Sequence, residues 1–201
     1  MRIEPYTPRC AELVAELGAG DLERAQAVLA ADPKRLRAVI AEELAAWERE
    51  GLGTRELLCH DTGTHHKWFV GVVEPRSFVI WLHEYKPAGR RAESHALTIH
   101  DHRYGFVSTV LCGGYDHEHY VLDADGRPVL TATERYRPPD TYRLGADALH
   151  RVTELLDGTI TLIVQAPVER DHSVVYGPSG VVRDHPANSR RLPELRRALA
   201  G

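Results

Sequence analysis

Three histidines, His100, His102 and His150, are the residues of this chain whose type and spacing can do chemistry together. Thr98-Ile99-His100-Asp101-His102 reads as the end of a strand. Alternation along a strand puts side chains two apart on one face, about 7 Å from each other along the backbone. Two imidazoles so placed can meet one divalent metal. His150, in Gly145-Ala146-Asp147-Ala148-Leu149-His150, leads into a later β-rich segment and is the expected third ligand. The chain has twelve histidines in 201 residues, and further pairs fall at His65-His66 and His117/His119. His117 and His119 share a strand face with Tyr115, as cavity-lining acid–base candidates or as solvated edge histidines. Arg103 and Tyr104, directly after the metal pair, can reach a substrate acid group and a reacting oxygen, although Arg-Tyr at a strand turn also serves as surface and packing. His95 reads as structural, and Cys112 as a buried small residue rather than a nucleophile.

These positions need a scaffold that brings residue 150 beside residue 100. The first fifty residues carry apolar side chains at three-to-four-residue spacing: Leu13, Val14 and Leu17, then Leu22, Ala25, Val28 and Leu29, then Leu36, Val39, Ile40, Leu44 and Trp47. That period predicts two or three short amphipathic helices. Gly18-Ala19-Gly20 breaks the first, Asp21 caps the second, and Asp32-Pro33 gives a cap followed by proline at the first helical position. Gly51-Leu52-Gly53 ends the run.

From about residue 54 the pattern changes to short β-rich runs: 67–73, 77–85, 106–111, 115–122, 129–136, 141–144 and 159–165. Asp123-Ala124-Asp125-Gly126 and Glu74-Pro75-Arg76 read as hairpin loops between neighbouring runs. Many short strands predict a mainly β fold, a closed barrel or double-sheet jelly roll. The expected organisation is a helical segment over 1–53 packed on a barrel over 54–176, then a surface tail over 177–201 with a short basic helix at 192–199.

Composition narrows the partners. An apolar fraction of 43% supports a real core. No run reaches the roughly 18 apolar residues that span a bilayer, and Met-Arg-Ile-Glu-Pro lacks the apolar core of a secretory signal, so a cytoplasmic protein is expected. The net charge of −4, with both signs mixed along the chain, gives no footprint for nucleic acid or anionic lipid. Cys10, Cys59 and Cys112 are odd in number and without CxxC, which gives neither a disulfide framework nor a zinc knuckle. A small-molecule partner is the better expectation.

The histidine constellation resembles the two motifs of the cupin superfamily. The first cupin motif is a His-x-His pair, a glutamate after four residues and a glycine after six more. This chain has His100, His102, Val107 and Gly114. The missing glutamate leaves a neutral three-histidine set, which within cupins resembles the thiol dioxygenases, the group that contains cysteine dioxygenase. Ile99-His100-Asp101-His102, His150-Arg151-Val152, Ala166-Pro167 after a strand and the preceding helices look like that family, in patches over residues 60–170. The resemblance implies a cupin β-barrel, an Fe(II) cofactor, and O₂ and a small chelating thiol or amino-acid-like molecule as substrates. Asp101 or a backbone carbonyl is the expected acceptor for the far ring nitrogens.

The pattern departs from the family in places that bear on the substrate. Lys67 stands where the family has a carboxylate-binding arginine, and it offers a point charge in place of a two-pronged fork. Val107 takes the place of the cysteine that some members cross-link to tyrosine. The serine–histidine–tyrosine relay is not recognisable, and Gln165 is the nearest polar candidate for the tyrosine's place. The expected activity is iron-dependent oxygenation of a small chelating substrate. The competing readings are an O₂-independent metal-dependent isomerase, lyase or hydrolase, and a ligand-binding cupin without turnover.

Overall fold

The computed structural model describes residues 6–91, 97–177 and 180–186. Three helices come first: α1 over Pro8–Gly18, α2 over Leu22–Ala31 and α3 over Pro33–Glu50. Their ends follow the expected capping chemistry. Asp21 Oδ1 accepts from Arg24 N at 3.0 Å, and Asp32 Oδ1 accepts from Arg35 N at 2.9 Å. Pro33 opens α3, and Gly51, at φ 82°, closes it in a conformation that a side chain would oppose. Among the described residues no helix is long and apolar enough to cross a membrane.

Twelve strands follow among the described residues. In chain order they are β1 His60–Asp61, β2 His65–Val73, β3 Phe78–Tyr85, β4 Ile99–His100, β5 Phe106–Cys112 and β6 Tyr115–Leu122. After these come β7 Pro128–Tyr136, β8 Thr141–Leu144, β9 Leu149–Thr153, β10 Ile160–Gln165, β11 His172–Gly177 and β12 Gly180–Pro186. They pair into two antiparallel sheets of six, ordered β1-β2-β3-β10-β5-β8 and β12-β11-β4-β9-β6-β7. The chain is mainly β with N-terminal helices, as expected. Its strands make two sheets, and no pairing among the described residues closes them into one continuous barrel.

The first sheet is covered on both faces. Leu17, Leu29 and Val39 of the helices pack with Val70, Ile80, Leu82, Leu162 and Val164. Phe106, Val110, Tyr142 and Ile163 turn the other way and meet Tyr115 and Val152 of the second sheet. Double coverage explains why β10 reads Ile-Thr-Leu-Ile-Val-Gln, nearly continuous and apolar, with no polar alternation. Gly114 ends the β5–β6 turn at φ 143°, and a Cβ there would lie 2.5 Å from the Tyr136 carbonyl oxygen. Backbone contact that close needs glycine.

One stretch differs from expectation. β12 extends the second sheet through residue 186, into the stretch over 177–201 expected to be a tail. Among the described residues β12 is an edge strand paired on one side, and its sequence carries little of the apolar pattern that marks a buried strand. The expected basic helix at 192–199 and His95 lie outside the described residues.

Candidate metal centre

The second sheet places the first and third histidines side by side. His100 on β4 is the direct register partner of His150 on β9, and directly opposed residues point to the same face. His102 follows β4 by two residues and returns to that side. The ring centroids lie 4.3 Å apart for His100 and His150, 4.8 Å for His100 and His102, and 5.0 Å for His102 and His150. One ring nitrogen from each falls within 4.8 Å of the others, and His102 Nε2 is 2.8 Å from His150 Nε2. Metal–nitrogen bonds of about 2.1 Å hold neighbouring ligand nitrogens roughly 3 Å apart, so the His102–His150 pair has ligand spacing and the three together form a group that could hold one divalent ion.

The far sides of the rings fix their tautomers. His100 Nδ1 lies 2.8 Å from the Thr98 carbonyl, which only accepts, so Nδ1 carries the proton and Nε2 the lone pair. His150 Nδ1 lies 2.6 Å from His117 Nε2. With His150 Nε2 turned to a metal, its Nδ1–H donates to His117. For His100 the acceptor is thus the backbone carbonyl of the two expected alternatives, and for His150 it is neither but the His117 ring. Asp101 does other work: its Oδ1 accepts from Val174 N at 2.6 Å and its Oδ2 from Arg170 Nη1 at 2.8 Å. The same Arg170 nitrogen donates to the His102 carbonyl at 3.3 Å and the Ala146 carbonyl at 2.9 Å. One guanidinium thus ties the segment bearing His100 and His102 to the one leading to His150.

The triad opens into a cavity of about 270 Å³, near the lower end of small-molecule sites. Lys67, Arg103 and Tyr104 all line it. The Lys67 Nζ lies 5.9 Å from the Trp81 ring centre, and burial lowers its pKa. The Tyr104 ring sits 5.5 Å from that of His102, and burial raises its pKa.

His117, His119 and Gln165, expected as catalytic, are absent from the cavity lining. His117 is fully buried behind His150 and acts on it through the ring hydrogen bond. His119 points its Nε2 toward Glu134, 3.4 Å away on β7. Gln165 Oε1 accepts from Trp81 Nε1 at 3.1 Å. Val107 also needs correction as the residue at the motif glutamate's place. It packs with the helices on the outer face, and its neighbour Phe106 lines the cavity, 5.0 Å edge-on to His102. No carboxylate lines the cavity among the described residues.

Sequence reasoning missed His83, Tyr85 and Tyr142 in the lining, and it found no partner for His65. His65 Nδ1 is 2.8 Å from Thr64 Oγ1, whereas His66 is turned outward beside Asp61. The alternations His65/Lys67 and His83/Tyr85 were the available signal. Arg170 had none, because its partners are remote in sequence.

Burial, the largest cause for each, holds His65 and His117 down at about 3 and His100 at about 4. Unfolded imidazoles titrate near about 6.5. Below that pH the unfolded chain binds more protons than the folded one. The stability tied to these neutral rings is therefore complete above about pH 6.5 and is lost as the pH falls toward the folded values. Metal-free protein should show a urea midpoint that drops steadily from about pH 7 to about pH 5. A midpoint that stays level over that range would contradict buried neutral histidines.

No family model matches the chain, and no curated protein matches it. Among solved structures the chain is similar to the DMSP lyase DddQ from Ruegeria pomeroyi DSS-3, at 13% identity and a TM-score of 0.45, over 89% of this chain and 83% of that one. It is also similar to KdgF from Halomonas sp., at 13% identity and a TM-score of 0.39, over 54% and 86%. For ectoine synthase from P. lautus the identity is 12% and the TM-score 0.40, over 56% and 70%. At TM-scores below 0.5 such likenesses carry no activity from those proteins to this one.

Proposed function

We propose that the chain is a cupin-type metalloenzyme, a mononuclear non-heme Fe(II) oxygenase of the thiol dioxygenase kind, acting in the cytoplasm on a small chelating thiol or amino-acid-like substrate. The observation behind this reading is the convergence of His100, His102 and His150, with no carboxylate in the set, at the wall of a small cavity. Three neutral imidazoles leave a divalent ion its full charge, which favours an anionic substrate beside it. When bound, iron supplies a Lewis-acid and redox centre where a substrate thiolate and O₂ can react.

The chain's own residues prepare that centre. Thr98 and His117 orient the ligand rings, and Arg170 with Asp101 fixes the backbone between them. Phe106, Val152 and Ile163 form the apolar part of the lining and keep water from the reacting groups. Lys67 faces the same cavity from the first sheet and offers a positive charge to an acid group. Arg103 and Tyr104 stand beside the triad as further polar contacts for substrate.

Anaerobic reconstitution with Fe(II), followed by O₂ uptake against cysteine, cysteamine and 3-mercaptopropionate, tests the reading. Uptake that depends on both iron and a thiol is the expected result. An iron-replete sample without thiol-dependent uptake would sink the thiol dioxygenase reading. Turnover that persists under strict anaerobiosis would put an isomerase, lyase or hydrolase in its place.

A further inference from the structure

A row of aromatic rings leads away from the metal centre toward solvent. On β6, Tyr115 and His117 alternate onto one face, and the register sets them against Tyr136 and Glu134 of β7. Tyr142 of β8, in the first sheet, packs against both strands. The His117 ring, hydrogen-bonded to His150, lies 5.1 Å from the Tyr142 ring and 5.6 Å from the Tyr136 ring. Tyr142 and Tyr136 stack on each other at 4.3 Å, 24° from parallel. Tyr142 lines the cavity, whereas Tyr136 is half-buried and meets solvent. The rings thus make a continuous series from a metal ligand to the surface.

The two stacked tyrosines differ in what holds their hydroxyls. Tyr142 Oη lies 2.7 Å from Tyr115 Oη, and burial raises the pKa of both phenols. A second phenol is a poor place to leave a proton, because burial disfavours the ions such a transfer would make. Tyr136 instead donates its hydroxyl hydrogen to the carboxylate of Glu134, which is itself exposed. A phenol that loses an electron becomes a strong acid, so it is oxidised most easily where a carboxylate stands ready for its proton. Tyr104, 5.5 Å from the His102 ring at the cavity wall, has no hydrogen-bond acceptor for its hydroxyl among the described residues. Phenylalanine at 136 would pack on Tyr142 equally well, and packing therefore leaves the hydroxyl and its carboxylate unexplained.

We infer that Tyr142 and Tyr136 form an electron route that carries stray oxidising equivalents from the metal centre to the protein surface, with Glu134 as the proton acceptor at its end. This rests on the reading of the site as an iron centre that meets O₂, and it gives the chain a second function, protection of its own ligands. The oxidant is hydrogen peroxide, left when oxygen is reduced without reaching substrate. One peroxide takes up two electrons and two protons to give two waters. Fe(II) supplies one electron and becomes Fe(III), and Tyr136 supplies the other through Tyr142 and His117. The Tyr136 hydroxyl proton moves to Glu134, solvent provides the two protons for water, and a neutral phenoxyl radical remains at 136. A dissolved one-electron reductant such as ascorbate restores the phenol there, while Glu134 returns the proton. Without the route, the second electron comes from a side chain at the site, and an oxidised imidazole is lost as a ligand.

The test loads the full chain anaerobically with Fe(II), adds one equivalent of hydrogen peroxide without thiol, and freezes samples for electron paramagnetic resonance. The wild type should give Fe(III) together with a tyrosyl radical, whose signal narrows when the chain carries ring-deuterated tyrosine. Tyr136→Phe should keep full iron and lose the radical, and mass spectrometry should find more oxidation at His100, His102, His150 and Tyr104 than in the wild type. Glu134→Gln keeps a hydrogen-bond acceptor but takes no proton, so its radical should be weaker and slower to form. Circular dichroism confirms folding of each variant. The inference is overturned if iron is oxidised with no tyrosyl signal, if Tyr136→Phe keeps the signal while Tyr104→Phe loses it, if Glu134→Gln leaves it unchanged, or if damage at the ligands is no greater in Tyr136→Phe. Iron stoichiometry in the same samples separates the two readings. A chain that binds iron and forms no radical loses only the route, and one that never binds iron loses the metal centre and the route with it.

Discussion

Replacing His150 by alanine should take the metal out of the protein. The His150 ring lies within 5.0 Å of both His100 and His102, and its Nδ1 is hydrogen-bonded to His117. Deleting it leaves two imidazoles and no route for His117 to act on a ligand. An ion held by two neutral nitrogens competes poorly with water and buffer. After anaerobic loading with Fe(II), the wild-type chain should retain about one equivalent and His150→Ala less than about a tenth, with activity falling in proportion. A companion variant, His117→Phe, keeps all three ligands and removes only the ring acceptor. It should still load iron, with affinity lower by about 10–100-fold. Iron retained at full stoichiometry in His150→Ala would mean that the third ligand lies elsewhere. A His117→Phe chain with unchanged affinity would mean that the His117–His150 hydrogen bond has no part in holding the metal.

The ligands themselves were legible because strand alternation puts His100 and His102 on one side, and because the Gly145–His150 segment resembles a second cupin motif. The helices were legible to within a few residues, since Asp21, Asp32-Pro33 and Gly51 act locally on the backbone that carries them. What failed was information held between strands. Counting along the motif selects Val107, and a shift of one residue to Phe106 turns a side chain from the helices to the cavity. Only the pairing of β5 with β10, Val107 to Val164 and Phe106 to Gln165, decides between them. His83 was invisible for the same reason, because its meaning comes from its register with Lys67. Arg170 anchors Asp101, 69 residues away, and nothing near Arg170 in sequence announces that.

The largest effect on stability is expected far from the metal, at Glu43. This carboxylate is buried on α3 at 2% exposure and accepts from Thr7 N at 2.9 Å and Trp47 Nε1 at 3.0 Å. Arg55, equally buried, lies 3.6 Å away and sits over the rings of Tyr6 and Trp47. Arg55 Nε donates to the Val70 carbonyl on β2, the strand that carries His65 and Lys67 into the cavity. The pair therefore bolts the helical layer to the sheet that forms one wall of the site. Glu43→Leu would remove the acceptor for two donors and leave a guanidinium that cannot neutralise itself. Breaking a buried pair this way costs about 3–5 kcal/mol, against a total stability of about 5–15 kcal/mol for a domain. At urea slopes of about 1–3 kcal/mol per molar, the midpoint should fall by roughly 2 M. The double variant Glu43→Leu/Arg55→Met should recover most of that loss, because an apolar pair of similar volume buries no charge at all. If the single variant shifts the midpoint by less than about 0.3 M, Arg55 finds other compensation and the pair is not what joins the layers.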